Sequence, residues 1–227
     1  MKRIVESEWL DTLPADDPRV IRSRRDLRRV NAWMRNPSIM AGALEHNWDG
    51  HVPEQITELG AGDGNFLLCV AKHASPRWPG MKATLLDRQK IVSAETFDSF
   101  SSLGWHAQTV ITDVFDWPAS PGEIVLANLF LHHFDDTRLT QLLQIISERA
   151  KLFVAVEPHR FALPFLCSPL LWLIGCNAVT RHDAAASIRA GFLGHELSAL
   201  WPDTENWRVI EHRTGWFSHL FVARRIH

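Results

Sequence analysis

A short stretch, Glu58-Leu59-Gly60-Ala61-Gly62-Asp63-Gly64, brings together residue types that can hold a small ligand. Glycines let a ligand approach the backbone, and the helix expected to follow them offers free N–H groups. A dinucleotide loop of the pattern GxGxxG would need its third glycine at position 65, which is Asn65. It would also avoid acids facing a pyrophosphate, yet Glu58 and Asp63 flank this loop. The expected ligand therefore carries positive charge near the loop rather than a run of phosphates. Two more acids fit the same picture. Asp87 ends a second strand candidate, where an acid takes a ribose diol. Asp113 ends a third, where a carboxylate can accept from an adenine amino group.

Proton transfer near neutral pH calls for histidine. His132 and His133 follow the fourth strand candidate at the ligand-binding edge, with His133 slightly preferred as a base. Both positions equally suit a turn held by packing. His159, in EPHR with Glu157 and Arg160 nearby, and His182, beside Asp183, are reserve candidates. TRHD also suits a helix start with Asp183 near the N-cap. No histidine and acid spacing marks a metal site, so none is expected.

Such side chains need a scaffold that delivers strand ends to one edge. Residues 1 to 50 read as a helical extension: after Asp16-Asp17-Pro18, Val20, Leu27, Val30 and Met34 share one face and arginines fill the other. From residue 51 to 227 the texture is that of one α/β domain. QITELG, MKATLLD, HAQTVITD, GEIVLANLFL and KLFVAVEP are short apolar strands, and helical patterns alternate with them. That alternation predicts a doubly wound, mostly parallel sheet. After an apolar insertion at about 160 to 205, WRVIEHR and HLFVARR read as a closing antiparallel hairpin around Gly215.

With these elements in place, the chain resembles the class I S-adenosylmethionine (SAM)-dependent methyltransferases over about residues 50 to 157 and the terminal hairpin. ELGAGDG looks like that family's first motif, LLD its second, ITDV its third and NLFLHHFDD its fourth-strand motif. SAM carries an amino group, a sulfonium and one carboxylate, which agrees with the acids around the loop. The resemblance implies a seven-stranded sheet with a reversed last strand, and SAH as product. It implies that Gly60, Ala61, Gly62 and Gly64, with Glu58, line the methionine end. Asp87 and Arg88 would serve the ribose, Asp113 and Val114 the adenine, and Asn128 would lie beside the cofactor. A narrower similarity, to phenolic and lipid O-methyltransferases of bacterial biosynthetic clusters, rests on the helical N-terminus, LHHFDD and TRHDAAASIRAGF.

Composition removes several other classes. A net charge of -2 gives no global pull toward nucleic acid. Cys69, Cys167 and Cys176 make no CxxC pair and suit reduced, cytoplasmic thiols. None of them follows a proline, as cytosine C5 chemistry requires, and the fourth motif lacks the [DNS]PP[YFW] run of base-amino methylation. The uncharged stretch 161 to 179 approaches membrane-span length, but Pro164, Pro169 and strands on both sides argue for a buried or lid-forming segment. Phe161, Phe165 and Trp172 in it are expected to line an apolar acceptor pocket, and peripheral membrane contact stays open. The leading expectation is O-methylation of a small aromatic or lipid-like acceptor. The alternatives are an RNA- or protein-directed enzyme docking through the arginines at 19 to 29, or a SAM-binding domain without catalysis.

Overall fold

The computed structural model describes residues 2–14, 16–49, 51–117, 123–161 and 171–226. Its centre is a seven-stranded sheet of order β3-β2-β1-β4-β5-β7-β6. The strands are β1 (Gln55–Leu59), β2 (Lys82–Asp87), β3 (His106–Ile111), β4 (Ile124–Asn128), β5 (Leu152–Pro158), β6 (Trp207–Thr214) and β7 (Ser218–Arg225). The first five run parallel, and β7 lies antiparallel between β5 and β6. The reversal at β1, flanked by β2 on one side and β4 on the other, opens the crevice in which sheets of this kind bind ligands.

The central strands are apolar because helices cover both of their faces. Along β4, Ile124 and Leu126 join one core, and Val125 and Ala127 join the other. On the first face pack α3 (Asn36–Asn47), α4 (Asn65–Ala74) and α5 (Ala94–Ser102), through Met40, Leu44, Leu67 and Phe100. On the second pack α6 (Asp136–Arg149) and, after α7 (Ala178–Ala190), the short α8 (Glu196–Leu200), through Leu139, Leu142, Ile146 and Leu197. Each buried Leu or Ile side chain contributes roughly 1.5–3 kcal/mol relative to exposure.

The N-terminal region is helical, as α1 (Trp9–Thr12), α2 (Pro18–Met34) and α3. Asp17 caps α2 by accepting from the Arg19 N–H, and Pro18 starts the helix where no N–H is needed. The buried stripe of α2 differs from the apolar periodicity. Val20, Ser23 and Asp26 are buried, while Leu27, Val30 and Met34 stay half-buried. Polar docking explains the offset: Asp26 accepts from the Asn177 N–H at 2.7 Å, and Ser23 pairs with Thr180 at 2.9 Å. TRHD lies inside α7, whose N-cap is Asn177 rather than Asp183. Among the described residues, no helix is long and apolar enough to cross a membrane.

Candidate active site

Three positive-φ glycines shape the loop after β1: Gly60 at 66°, Gly62 at 55° and Gly64 at 73°. A Cβ on Gly60 would meet the Phe130 ring at 2.3 Å, so this glycine admits the chain arriving from β4. Around Gly62 a Cβ would meet nothing within 4 Å. Asp87 holds the loop open from the next strand, accepting from Gly62 N and Gln89 N at 2.8 Å each. β3 stops at Ile111, two residues before Asp113; Asp113 instead caps the following turn, accepting from the Phe115 N–H, and Val114 in that turn is buried. Arg88 is exposed.

Glu58 lies at the base of this crevice, buried, with Oε2 lacking any hydrogen-bond partner. Burial pushes its carboxyl well above the usual range; a hydrogen bond from the Leu67 N–H only partly offsets this, and Asp63 and Asp87 add to it. A buried, unpartnered carboxyl oxygen beside two other acids is a place where a ligand ammonium restores balance. The loop, Glu58 and Asp87 therefore suit an amino-acid end followed by a ribose.

The arginine face of α2 is not simply solvated. Arg28 meets Asp63 at 2.6 Å and Arg24 donates to Gln89 at 2.8 Å, so α2 reaches both the glycine loop and the turn after β2. Arg22 donates to the Gly175 carbonyl. Asn128 is tied to the same region. Its amide and those of Asn31 and Asn36 exchange hydrogen bonds of 3.1 Å, and Ser218 donates to Asn36 at 2.7 Å. Asn128 thus joins the N-terminal helices to the mouth of β4.

β4 is shorter than its apolar run. It stops at Asn128, Leu129 adopts φ 52°, and Leu131–His133 forms a single 3-10 turn. Glu157 at the end of β5 explains the stop. One of its oxygens accepts from the N–H groups of Phe130 and Leu131 at 3.0 and 2.9 Å. The other faces His132 Nδ1 at 2.8 Å. Glu8, from the chain before α1, faces His132 Nε2 at 3.4 Å. Burial disfavours the His132 imidazolium, but Glu157 and Glu8 outweigh burial and raise it to about 9. Burial likewise works against the Glu8 carboxylate, and His132 outweighs it, holding Glu8 at about 2. Both ring nitrogens of His132 therefore face carboxylates, while the neighbouring His133, its ring 4.3 Å away, is half-buried.

The other sequence candidates separate. His159 packs against His219 at 5.9 Å, and its Nδ1 is buried without a partner. Glu157 serves His132, not His159, and Arg160 is buried against Glu196. His182 meets Asp183 at 2.9 Å and stacks on Trp9 at 3.9 Å. Asp183 in turn accepts from the Trp9 and Leu10 N–H groups, which pins α1 in place. Phe161 lies 6.1 Å from Phe217, whose ring also meets Trp33 at 5.0 Å. Trp172 is 64% exposed, so it does not line an enclosed pocket, and Phe165 lies outside the described residues. Glu8 was missed from sequence: nothing in MKRIVESEWL marks it as a partner for a histidine 124 residues away.

Strand order, reversed β7 and a glycine loop at the first crossover define the fold of class I SAM-dependent methyltransferases. Among solved structures, the mitomycin 7-O-methyltransferase MmcR is similar at 18% identity and TM-score 0.62, over 96% of this chain and 61% of that one. An O-methyltransferase family protein from Burkholderia thailandensis is similar at 14% identity and TM-score 0.63, over 93% and 61%. The plantazolicin methyltransferase BamL, solved with a triazolic desmethylPZN analog and SAH, is similar at 13% identity and TM-score 0.65, over 92% of each chain. The chain thus spans about three fifths of the length of the first two. No family model and no curated protein matches the sequence.

Proposed function

We propose that this chain is a SAM-dependent methyltransferase acting on a small, rather apolar acceptor, most simply at a hydroxyl oxygen. The observation that carries the reading is the crevice over β1, where a buried unpartnered Glu58 oxygen, three left-handed glycines and Asp87 converge. Glu58 would meet the cofactor's ammonium, the N–H groups of the loop its carboxylate end, and Asp87 its ribose. Asp113 and Val114, in the turn that follows β3, would take its adenine. When bound, SAM supplies an electrophilic methyl carbon on its sulfonium.

The chain's own part is mostly alignment, since in-line transfer gains its rate chiefly from holding the nucleophile against the methyl group. Leu27, Val30 and Met34 leave an apolar stripe half-open on α2, and Trp33, Phe161 and Phe217 add aromatic surface. That surface favours an aromatic ring or alkyl chain, with each buried methylene adding about 0.8 kcal/mol. His133 would take the acceptor proton, because His132 is enclosed by two carboxylates and only 2% exposed. The similarity in fold to a mitomycin O-methyltransferase and to the Burkholderia protein supports oxygen as the accepting atom. An acceptor screen read by mass spectrometry tests the proposal. Gain of one methyl group on aromatic or lipid-like hydroxyls, with SAH formed in step, is the expected result. SAM binding without SAH formation on any acceptor would favour a binding domain instead.

A further inference from the structure

We infer that Glu8, His132 and His133 form a binding site for one divalent transition-metal ion of the zinc class. The inference uses the histidine pair of the proposed active site, but the ion is read from donor geometry and not from methyl transfer. Among the described residues these three side chains place one potential ligand atom each within 4.8 Å of one another. They come from two remote pieces of chain, the stretch before α1 and the turn after β4, so only the fold assembles them.

Two distances distinguish this cluster from an ordinary buried ion pair. His132 Nδ1 meets Glu157 at 2.8 Å, a normal charge-assisted hydrogen bond. On the other side, Nε2 stands 3.4 Å from Glu8 Oε1, wider than a charge-assisted bond prefers although both groups are buried. Two ligands of a tetrahedral zinc ion, each about 2.0–2.1 Å from the metal, lie about 3.4 Å apart. The separation is also that of two neighbouring ligands of one metal ion.

The surroundings supply what such an ion needs. A ligating imidazole commonly donates its other N–H to a carboxylate, which fixes the tautomer and ring orientation, and Glu157 is so placed. Ser187 donates to Glu8 and orients it in the same way. Two imidazoles and one carboxylate form a donor set typical of zinc sites that keep a fourth position open. Imidazole donors favour such ions over magnesium or calcium. Binding displaces the Nε2 proton to solvent and leaves the Nδ1 proton on the Glu157 side. The fourth position would take water or the oxygen of an acceptor, whose deprotonation the ion would then assist in place of the His133 imidazole.

The test uses the full chain, stripped with chelator and free of SAM and acceptor, so it stands or falls apart from methyl transfer. Cobalt(II) titration is expected to give stoichiometric binding with the visible bands of a tetrahedral nitrogen and oxygen site, displaced by zinc. Glu8→Gln and His133→Gln, each verified as folded by circular dichroism, should weaken binding roughly a hundredfold. His73→Gln, on α4 and away from the cluster, should leave it unchanged. Absence of stoichiometric binding by the parent protein, parent-like affinity in both cluster variants, or a thiolate-to-cobalt charge-transfer band would each overturn the inference.

Discussion

The two halves of the ligand edge are built by different means. Over β1, β2 and β3 the crevice is made within each crossover: the glycine loop follows its own strand, Asp87 closes on that loop, and Asp113 caps the turn that it begins. Over β4 and β5 the edge is made by distant residues. Glu157 holds the turn after β4, Glu8 arrives from before α1, and Asn31 and Asn36 arrive from α2 and α3. The first half is a local solution to holding one kind of ligand. The second joins the N-terminal helices to the sheet, and its parts depend on one another.

The two histidines should respond to substitution in opposite ways. His133→Gln should lower kcat by roughly a hundred- to ten-thousandfold, as loss of a general base does, with little change in melting temperature or SAM affinity. His132→Gln should instead destabilise by about 3–5 kcal/mol, because it leaves Glu8 and Glu157 buried without their cation. Thermal unfolding beside single-turnover kinetics reads both. Equal losses of stability and rate in the two variants would erase the division of labour.

A second test addresses the local half. Asp87→Ala should weaken SAM binding ten- to a hundredfold, the cost of about 1.5–3 kcal/mol for a hydrogen bond to a charged group, with stability less affected. Calorimetric titration measures the first quantity and denaturant unfolding the second. An unchanged SAM affinity would remove the ribose role assigned to Asp87.

Glu58 provides a test through pH. Its folded pKa is raised, so its contribution is fully present below the unfolded value near 4.5 and is lost as pH rises toward the folded value. Stability of the ligand-free protein should therefore decline over that window, and Glu58→Gln should flatten the decline, a difference of roughly 1–3 kcal/mol for one poorly satisfied buried group. Saturating SAM should remove the decline in the parent protein alone. Denaturant melts across a pH series decide it, and a parent and variant with parallel profiles would contradict the role given to the Glu58 carboxyl.

The smallest effect is expected at the bridge between α2 and the loop. Arg28→Ala removes a half-exposed ion pair to Asp63, so its cost should stay below about 1 kcal/mol and vanish at high salt. A large, salt-independent loss would mean that α2 does more for the glycine loop than the pairing of one arginine implies.

These contrasts follow how far apart the participants lie in the chain. The strands, the glycine loop and the acids at strand ends were readable because each depends on neighbours a few residues away. The reversed hairpin was readable from WRVIEHR and HLFVARR around Gly215, matching β6 and β7. The end of β4 was not, because Leu129-Phe130-Leu131 carries the apolar texture past Asn128, and the break at Leu129 comes with Glu157 capping the turn that follows. The buried face of α2 was misread for a similar reason. Periodicity counts apolar residues, whereas Ser23 and Asp26 are buried by hydrogen bonds to α7 and the residue before it. Glu8 carried no local signal at all.

The place of β7 also has a consequence for how the chain is made. β5 is buried along its whole length, and its outer partner is Ser218–Arg225, not the earlier β6. During synthesis the strand from Leu152 to Pro158 therefore leaves the ribosome with an unpaired, apolar edge. That edge stays open while α7, α8 and β6 are added, until β7 enters between β5 and β6. Exposed edges of this kind recruit other chains. The interval between β5 and β7 is thus a window in which that edge is open to pairing with other chains and to cover by a chaperone.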